Sequence, residues 1–218
     1  EFRLHAKGQP DNPVTLRAED PGKDLITGLS NLGISGEHIV VTGLVFKDGY
    51  TPTSEVISIR TSEDELANNS RVTNTVIDNF SIPERQDSYL WVALYGRNNQ
   101  LDYNSLLNKG NKGVTLAVRM NTEGSRENHH VIEYNYFGPR QALGSNGGET
   151  LRIGTSHYSR DYSNTIVRHN YFDRTGGELE IISSKSCGNQ IHSNVFFESQ
   201  GTLTMRHGHY TLVENNYF

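Results

Sequence analysis

Four segments of this chain are nearly superimposable: VIEYNYF at Val131 to Phe137, IVRHNYF at Ile166 to Phe172, IHSNVFF at Ile191 to Phe197 and LVENNYF at Leu212 to Phe218. Each opens on an aliphatic residue, carries a polar stretch with an asparagine near its middle, and closes on an aromatic residue. Weaker copies run from Val40 to Phe46, Val76 to Ile82 and Leu101 to Leu107, so that successive starts fall 36, 25, 30, 35, 25 and 21 residues apart. A phrase that returns at an interval in the twenties and stretches in places marks a solenoid whose coils keep their strands and vary their loops.

Short alternating segments lie between the phrases: SEVISIR, DSYLWVALY, GVTLAVRM, GETLRIG, GELEIIS and GTLTMRHG. Alternation places Leu116, Val118, Leu151, Ile153, Leu179, Ile181, Leu203 and Met205 on one face and the polar residues on the other. The expected architecture is all-β, a right-handed parallel β-helix of about seven coils stacked roughly 4.8 Å apart. A β-sandwich also alternates between Gly and Asn turns. It would call for paired strands and tight hairpins, whereas the two-residue Asn-Gly turn occurs once, at Asn146 and Gly147.

Composition agrees with stacked strands. Glycine and asparagine occur 21 times each against six alanines, which disfavours a helical bundle. Asparagines such as Asn135, Asn170, Asn194 and Asn215 recur at matching turns, where they tolerate left-handed backbone and hydrogen-bond along the stack. A net charge of −5 argues against a generally basic nucleic-acid binder and leaves a local cationic site open. No apolar run reaches membrane-spanning length, and the single cysteine, Cys187, forms no internal disulfide. Residues 1–218 are read as a single β-helix domain. Because the sequence stops at Phe218, where another strand should start, the expectation is a fragment of a longer solenoid, incomplete at its C-terminal end, or one that a second polypeptide piece completes.

When the alternating strands are registered by their aliphatic residues, the outward side chains form a column: Arg119, Arg152, Glu178 with Glu180, then Thr204 with Arg206. Glu178 and Glu180 leave the same face about 7 Å apart along a strand. Carboxylates that close repel unless a cation or hydrogen-bond donors intervene, and a hard divalent ion, Ca2+ above all, meets that need. Asn146, in the turn before the preceding strand, offers a third oxygen. Lys185 in SSKS and Arg206 in TMRHG, followed by His207, add cationic groups suited to an anionic substrate. Each residue taken alone is ordinary. A glutamate pair is most often a solvated strand face, Arg152 can pair with either glutamate at small energetic value, and His207 with His209 lacks a third metal partner. Ser183, Ser184 and Ser186 sit in no nucleophile elbow.

The segments NGGETLRIG and GELEIISSKSCGNQIHSNVFFESQGTLTMRHG, with the NNYF phrases, resemble polysaccharide lyase family six, the alginate lyases and chondroitinase B lyases. The resemblance covers Ile34 to Phe218 and is most specific over the 31 residues from Glu178 through Gly208. It implies Lys185 as Brønsted base and Arg206 as acid, with Ca2+ on Asn146, Glu178 and Glu180. It further implies His207 and Arg152 as part of a sugar-binding wall, and Arg119 is counted with them. The expected activity is β-elimination on alginate, giving 4,5-unsaturated uronide ends. Dermatan or chondroitin sulfate is the runner-up substrate, and a non-catalytic polysaccharide-binding β-helix the alternative from another class. An anionic polymer too large to cross a membrane implies a secreted or periplasmic location, where calcium is available, with neither nucleic acid nor membrane as partner.

Overall fold

Strands of three to six residues expose apolar edges and unpaired backbone groups, and stacking one coil upon the next satisfies both at once. The computed structural model, which describes residues 1–218, realises this as a parallel β-helix. A nine-stranded sheet runs through Phe2–Lys7, Leu32–Glu37, Glu55–Ser58, Leu90–Leu94, Leu116–Val118, Leu151–Ile153, Glu180–Lys185 and Thr202–His207, with Ala67–Asn68 beside Leu32–Glu37. An eight-stranded sheet extends from Val14–Arg17 to Leu212–Glu214, and a seven-stranded one from Leu25–Leu29 to Val195–Phe197. Each coil supplies one strand to each sheet in turn, so the chain makes seven full coils and begins an eighth. Helical structure is confined to two short 3-10 turns, Glu123–Ser125 and Ser156–Tyr158.

The interior is built from columns of like residues. Val41, Val72, Leu101, Ile132, Val167 and Ile191 stack along the eight-stranded sheet, all buried. Along the seven-stranded sheet Phe46, Ile77, Leu106, Phe137, Phe172 and Phe196 do the same. The last three rings lie nearly parallel with centroids 4.7 Å apart, an aromatic stack at the strand spacing.

The repeated phrase is the corner between these two sheets. Its first three residues form a strand of the eight-stranded sheet, the fourth takes a left-handed turn, and the last two enter the seven-stranded sheet. The left-handed positions are Asn74, Tyr103, Tyr134, His169, Ser193 and Asn215, with φ between 48° and 56°. The residue after each is buried, or half-buried in the case of Asn216. Asn104, Asn135, Asn170, Asn194 and Asn216 form a ladder in which each Nδ2 donates to the next Oδ1 at 3.0 Å. Each Oδ1 also accepts the backbone N–H of the preceding ladder residue, and each second amide hydrogen reaches a carbonyl one coil back. The ladder member in the last phrase is therefore Asn216. Asn215 makes the turn instead.

Strand pairing also corrects the phrase boundaries. Val76–Asp78 lies in the seven-stranded sheet, so the true copy in that coil starts at Arg71 and not at Val76. In register the phrases start at Val40, Arg71, Gln100, Val131, Ile166, Gln190 and Leu212, with intervals of 31, 29, 31, 35, 24 and 22 residues. On the nine-stranded sheet Leu116, Val118, Leu151, Ile153 and Ile181 are buried as expected, whereas Leu179 is 73% exposed and Met205 61% exposed. An irregularity between Glu180 and Ile182 breaks the alternation. Ile182 takes the inward place beside Leu151, and Ile181 is buried as well.

A second corner carries an imperfect ladder in which the Ser70 N–H donates to Asn99 Oδ1 at 2.9 Å and the Asn99 N–H to His130 Nδ1 at 3.2 Å. His130 is wholly buried, and burial pushes its pKa from 6.5 down to about 3. The folded chain holds this ring neutral while the unfolded chain protonates it near 6.5. Its contribution to stability is therefore present above that pH and lost as pH falls toward 3. Between these limits stability should fall by about 1.4 kcal/mol per pH unit on account of this group. His130→Asn, which keeps an acceptor in the ladder, should remove that slope in denaturant titrations at successive pH values. An unchanged slope would show that His130 does not set the acid sensitivity.

Candidate functional site

The outward face of the nine-stranded sheet gathers the charged groups, and two glycines let the loops that carry them meet. A Cβ at Gly177 would lie 2.5 Å from the Gly148 carbonyl oxygen, so a side chain there would force apart the turns preceding Leu151–Ile153 and Glu180–Lys185. The Gly147 N–H then donates to Glu178 Oε2 at 3.0 Å, and Arg206 Nη1 donates to Glu180 Oε1 at 2.6 Å. Asn146, Glu178, Glu180, Gln200 and Arg206 line an open cleft of about 610 Å³.

A third carboxylate stands behind the pair. Glu149, two residues before the Leu151–Ile153 strand, has a side chain only 2% exposed. Its Oε1 lies 3.7 Å from Lys185 Nζ and 3.6 Å from Arg152 Nη1, while its Oε2 is buried without a hydrogen-bond partner. One oxygen from each of Glu149, Glu178 and Glu180 falls within 4.8 Å of the other two. Burial, and then the Glu149 charge, push the Glu178 carboxyl above its ordinary value against the Gly147 and Gly148 amides. For Glu180 burial acts in the same direction, but the Ser183 hydroxyl, the Arg206 guanidinium and the Lys185 charge outweigh it and hold the carboxyl low. The Glu180 carboxylate in turn raises Arg206.

The structure thus brings together Asn146, Glu178, Glu180 and Arg206 at the cleft, with Lys185 and Arg152 joined to them through Glu149. Strand register places Arg152 beside Ser183 and Thr204, not beside the glutamates, so its acidic partner is Glu149 and neither Glu178 nor Glu180. A second irregularity, between Ser184 and Lys185, sets Lys185 opposite the exposed His207. Arg119 stands apart. It makes no ion pair with the carboxylates, and its charge acts on the buried Tyr95 hydroxyl.

Two residues that sequence reading passed over matter here. Glu149 lies inside the NGGETLRIG segment, between a glycine turn and a strand, where residue order gives it no mark that sets it apart from an ordinary strand approach. Arg140 is buried beneath it. Arg140 donates through Nη1 to Thr115 Oγ1 at 3.0 Å and the Glu149 carbonyl at 2.8 Å, and through Nη2 to the Asn111 carbonyl at 3.2 Å and the Gly113 carbonyl at 2.7 Å. Burial lowers its pKa to about 10, opposed by the Glu149 and Glu178 charges. No spacing in the sequence announces this buttress, since its partners are mostly backbone carbonyls.

A family model described as Chondroitinase B matches residues 1–218. Among solved structures, the PL6 family alginate lyase AlyGC aligns with a TM-score of 0.98 at 61% identity, over 99% of this chain and 30% of that one. A mannuronic acid specific polysaccharide family 6 lyase from human gut microbiota aligns with a TM-score of 0.94 at 38% identity, over 98% of this chain and 49% of that one. The PL6 family polysaccharide lyase Pedsa3628 from Pseudopedobacter saltans gives 0.88 at 29% identity, over 99% and 49%. The chain therefore spans half or less of the length of these relatives. No curated protein matches the sequence.

Arg140→Lys tests the buttress. A lysine cannot reproduce the planar fork, and each carbonyl left unpaired costs about 1–3 kcal/mol. The variant should show a clearly lower thermal midpoint than the unmodified chain. An unchanged midpoint would mean that the loops carrying Glu149 are held by other contacts.

Proposed function

Because the chain belongs to the chondroitinase B family, polysaccharide lyase family six, we propose that it carries the catalytic centre of a lyase that cleaves alginate by β-elimination. The observation that carries this reading is the outward cluster in which Lys185 and Arg206 flank three converging carboxylates. Alginate is favoured because it is wholly uronate and because AlyGC, a family member at 61% identity, is named an alginate lyase. Dermatan or chondroitin sulfate remains the other substrate within the family.

The reaction asks for three things. A base must remove H5, which is α to the C6 carboxylate; charge accumulating on that carboxylate must be offset; and the glycosidic oxygen must leave C4. Lys185 takes H5 through Nζ while its amine is neutral. The C5–H electron pair forms the C4–C5 double bond as the C4–O bond breaks. Arg206, which reaches from the neighbouring strand and keeps its proton tightly, stabilises the departing oxygen by hydrogen bonding while water supplies the proton. Arg152 and His207 stand beside the reacting sugar as hydrogen-bond donors. Arg119, just past the Leu116–Val118 strand and farther from the cleft, contributes positive charge along the same face.

The donor set suits calcium. It is made wholly of oxygen, three carboxylates converge with one raised in pKa, and a buried carboxylate oxygen has no protein partner. Asn146, Glu178 and Glu180 are the residues that would hold the ion. When bound, calcium supplies Lewis-acid stabilisation to the substrate carboxylate. A polymeric substrate outside the cell and a calcium requirement both accord with a secreted or periplasmic enzyme.

Incubation with alginate in the presence of Ca2+ should produce the ultraviolet absorbance of unsaturated uronides. A correctly folded sample that gives no rise on alginate, and instead gives one on dermatan or chondroitin sulfate, would transfer the assignment to the sulfated polymer. Lys185→Ala should lower kcat by about 10²–10⁴-fold while polymer binding persists; undiminished turnover would show that another group is the base. Chelation should abolish activity and lower the thermal midpoint, with Ca2+ restoring both, and Glu178→Gln should blunt that restoration. Indifference to chelator in both measurements would remove calcium from the scheme.

A further inference from the structure

Glu149 presents a physical problem that the scheme above leaves unsolved. A carboxylate with 2% exposure has surrendered its hydration, and ion partners at 3.6 and 3.7 Å on one oxygen do not replace it. Its other oxygen is buried with no donor at all. Two further carboxylates stand close by, since one oxygen from each of Glu149, Glu178 and Glu180 lies within 4.8 Å of the others. Such an arrangement is stable only if something positive is shared among the three. Arg140, fixed on the Glu149 carbonyl from below, prevents the segment from turning away.

We propose that Glu149 is a further oxygen ligand of the divalent cation and, through its other oxygen, the residue that positions Lys185. This rests on the reading of the site as calcium-dependent. In that arrangement the metal and the base are joined by one buried carboxylate, so the distance between them is set by the protein before substrate arrives. Register makes this joint possible. Leu151 pairs with Ile182, so Glu149 in the turn below lies level with the start of the Glu180–Lys185 strand, and Lys185 at the end of that strand reaches back to within 3.7 Å of it.

The contrast with a plain buried ion pair is measurable, because Glu149→Gln changes the two cases in opposite ways. If Glu149 serves only to pair with Lys185 and Arg152, its amide should destabilise the metal-free chain and leave Ca2+ affinity alone. If it is a ligand, the amide hydrogens can donate to Glu178 and Glu180, so the metal-free thermal midpoint should hold or rise while calorimetric Ca2+ affinity falls by about tenfold or more. For the positioning role kcat should fall with KM unchanged, and Glu149→Asp, which keeps the charge, should recover part of both losses.

Ca2+ alone, titrated into the protein by calorimetry, is the ligand for the first comparison. Unaltered affinity and unaltered kcat in Glu149→Gln, in a protein that otherwise binds Ca2+ and degrades alginate, would overturn this inference and leave the proposed function standing. Absence of Ca2+ binding by the unmodified protein would overturn both.

Discussion

Coil-to-coil register is the constraint on which every other distance in this molecule depends. Parallel backbone pairing alone would tolerate a slip, but a one-residue slip would turn each core column outward. The ladder from Asn104 to Asn216 supplies the missing specificity. A buried amide has two hydrogens and two lone pairs to satisfy, and at Asn135, Asn170 and Asn194 all are used: toward the next ladder residue, toward a carbonyl one coil back, and in accepting two donors. A coil out of step would leave several of these buried groups unpaired at once.

The charged site inherits that register and departs from it at two points. Both irregularities fall in the pairing of Glu180–Lys185 with Thr202–His207, the first adding Ile181 on one strand and the second adding Arg206 on the other. They set Glu180 within reach of Arg206, while regular pairing with the preceding coil leaves Lys185 near Glu149. Bulges of this kind re-aim side chains at little cost to the pairing beyond them. The surrounding turns, tied by Arg140 and brought close by Gly148 and Gly177, fix the third carboxylate.

Much of this was legible from residue order. The phrases with NYF and NNYF endings revealed the coil, and the outward residues Glu178, Glu180 and Arg206 gather as alternation implied, with Lys185 at the strand's exit joined to them through Glu149. Legibility ended where alternation did. Leu179 and Met205 follow a strict two-residue period on paper, but Leu179 lies ahead of the bulge in solvent, and Met205, in register with the buried Ser184, lies on the edge strand with no coil packed over it. Val76 mimics a phrase start because both sides of a corner are short aliphatic strands, and only pairing distinguishes them. Glu149 was hidden by its neighbours, since a single acid between a glycine turn and a TLRIG strand reads as an ordinary strand approach. Its burial depends on the coils above and below. Arg140 was illegible for a deeper reason, as a side chain that bonds to carbonyls leaves no partner residue type to search for.

The evenness of the coil intervals has a kinetic meaning. Partners along the phrase corner are separated by 22 to 35 residues wherever they occur in the chain. The entropy of closing a loop rises only with the logarithm of its length, so each added coil meets nearly the same barrier as the one before. The costly event is the pairing of the first two coils, when no template exists. Every later coil folds against a finished edge whose asparagine amides and strand hydrogen bonds already point outward. Growth of the stack is thus a zipper with a fixed step, and lengthening such a protein adds folding steps without adding more distant contacts.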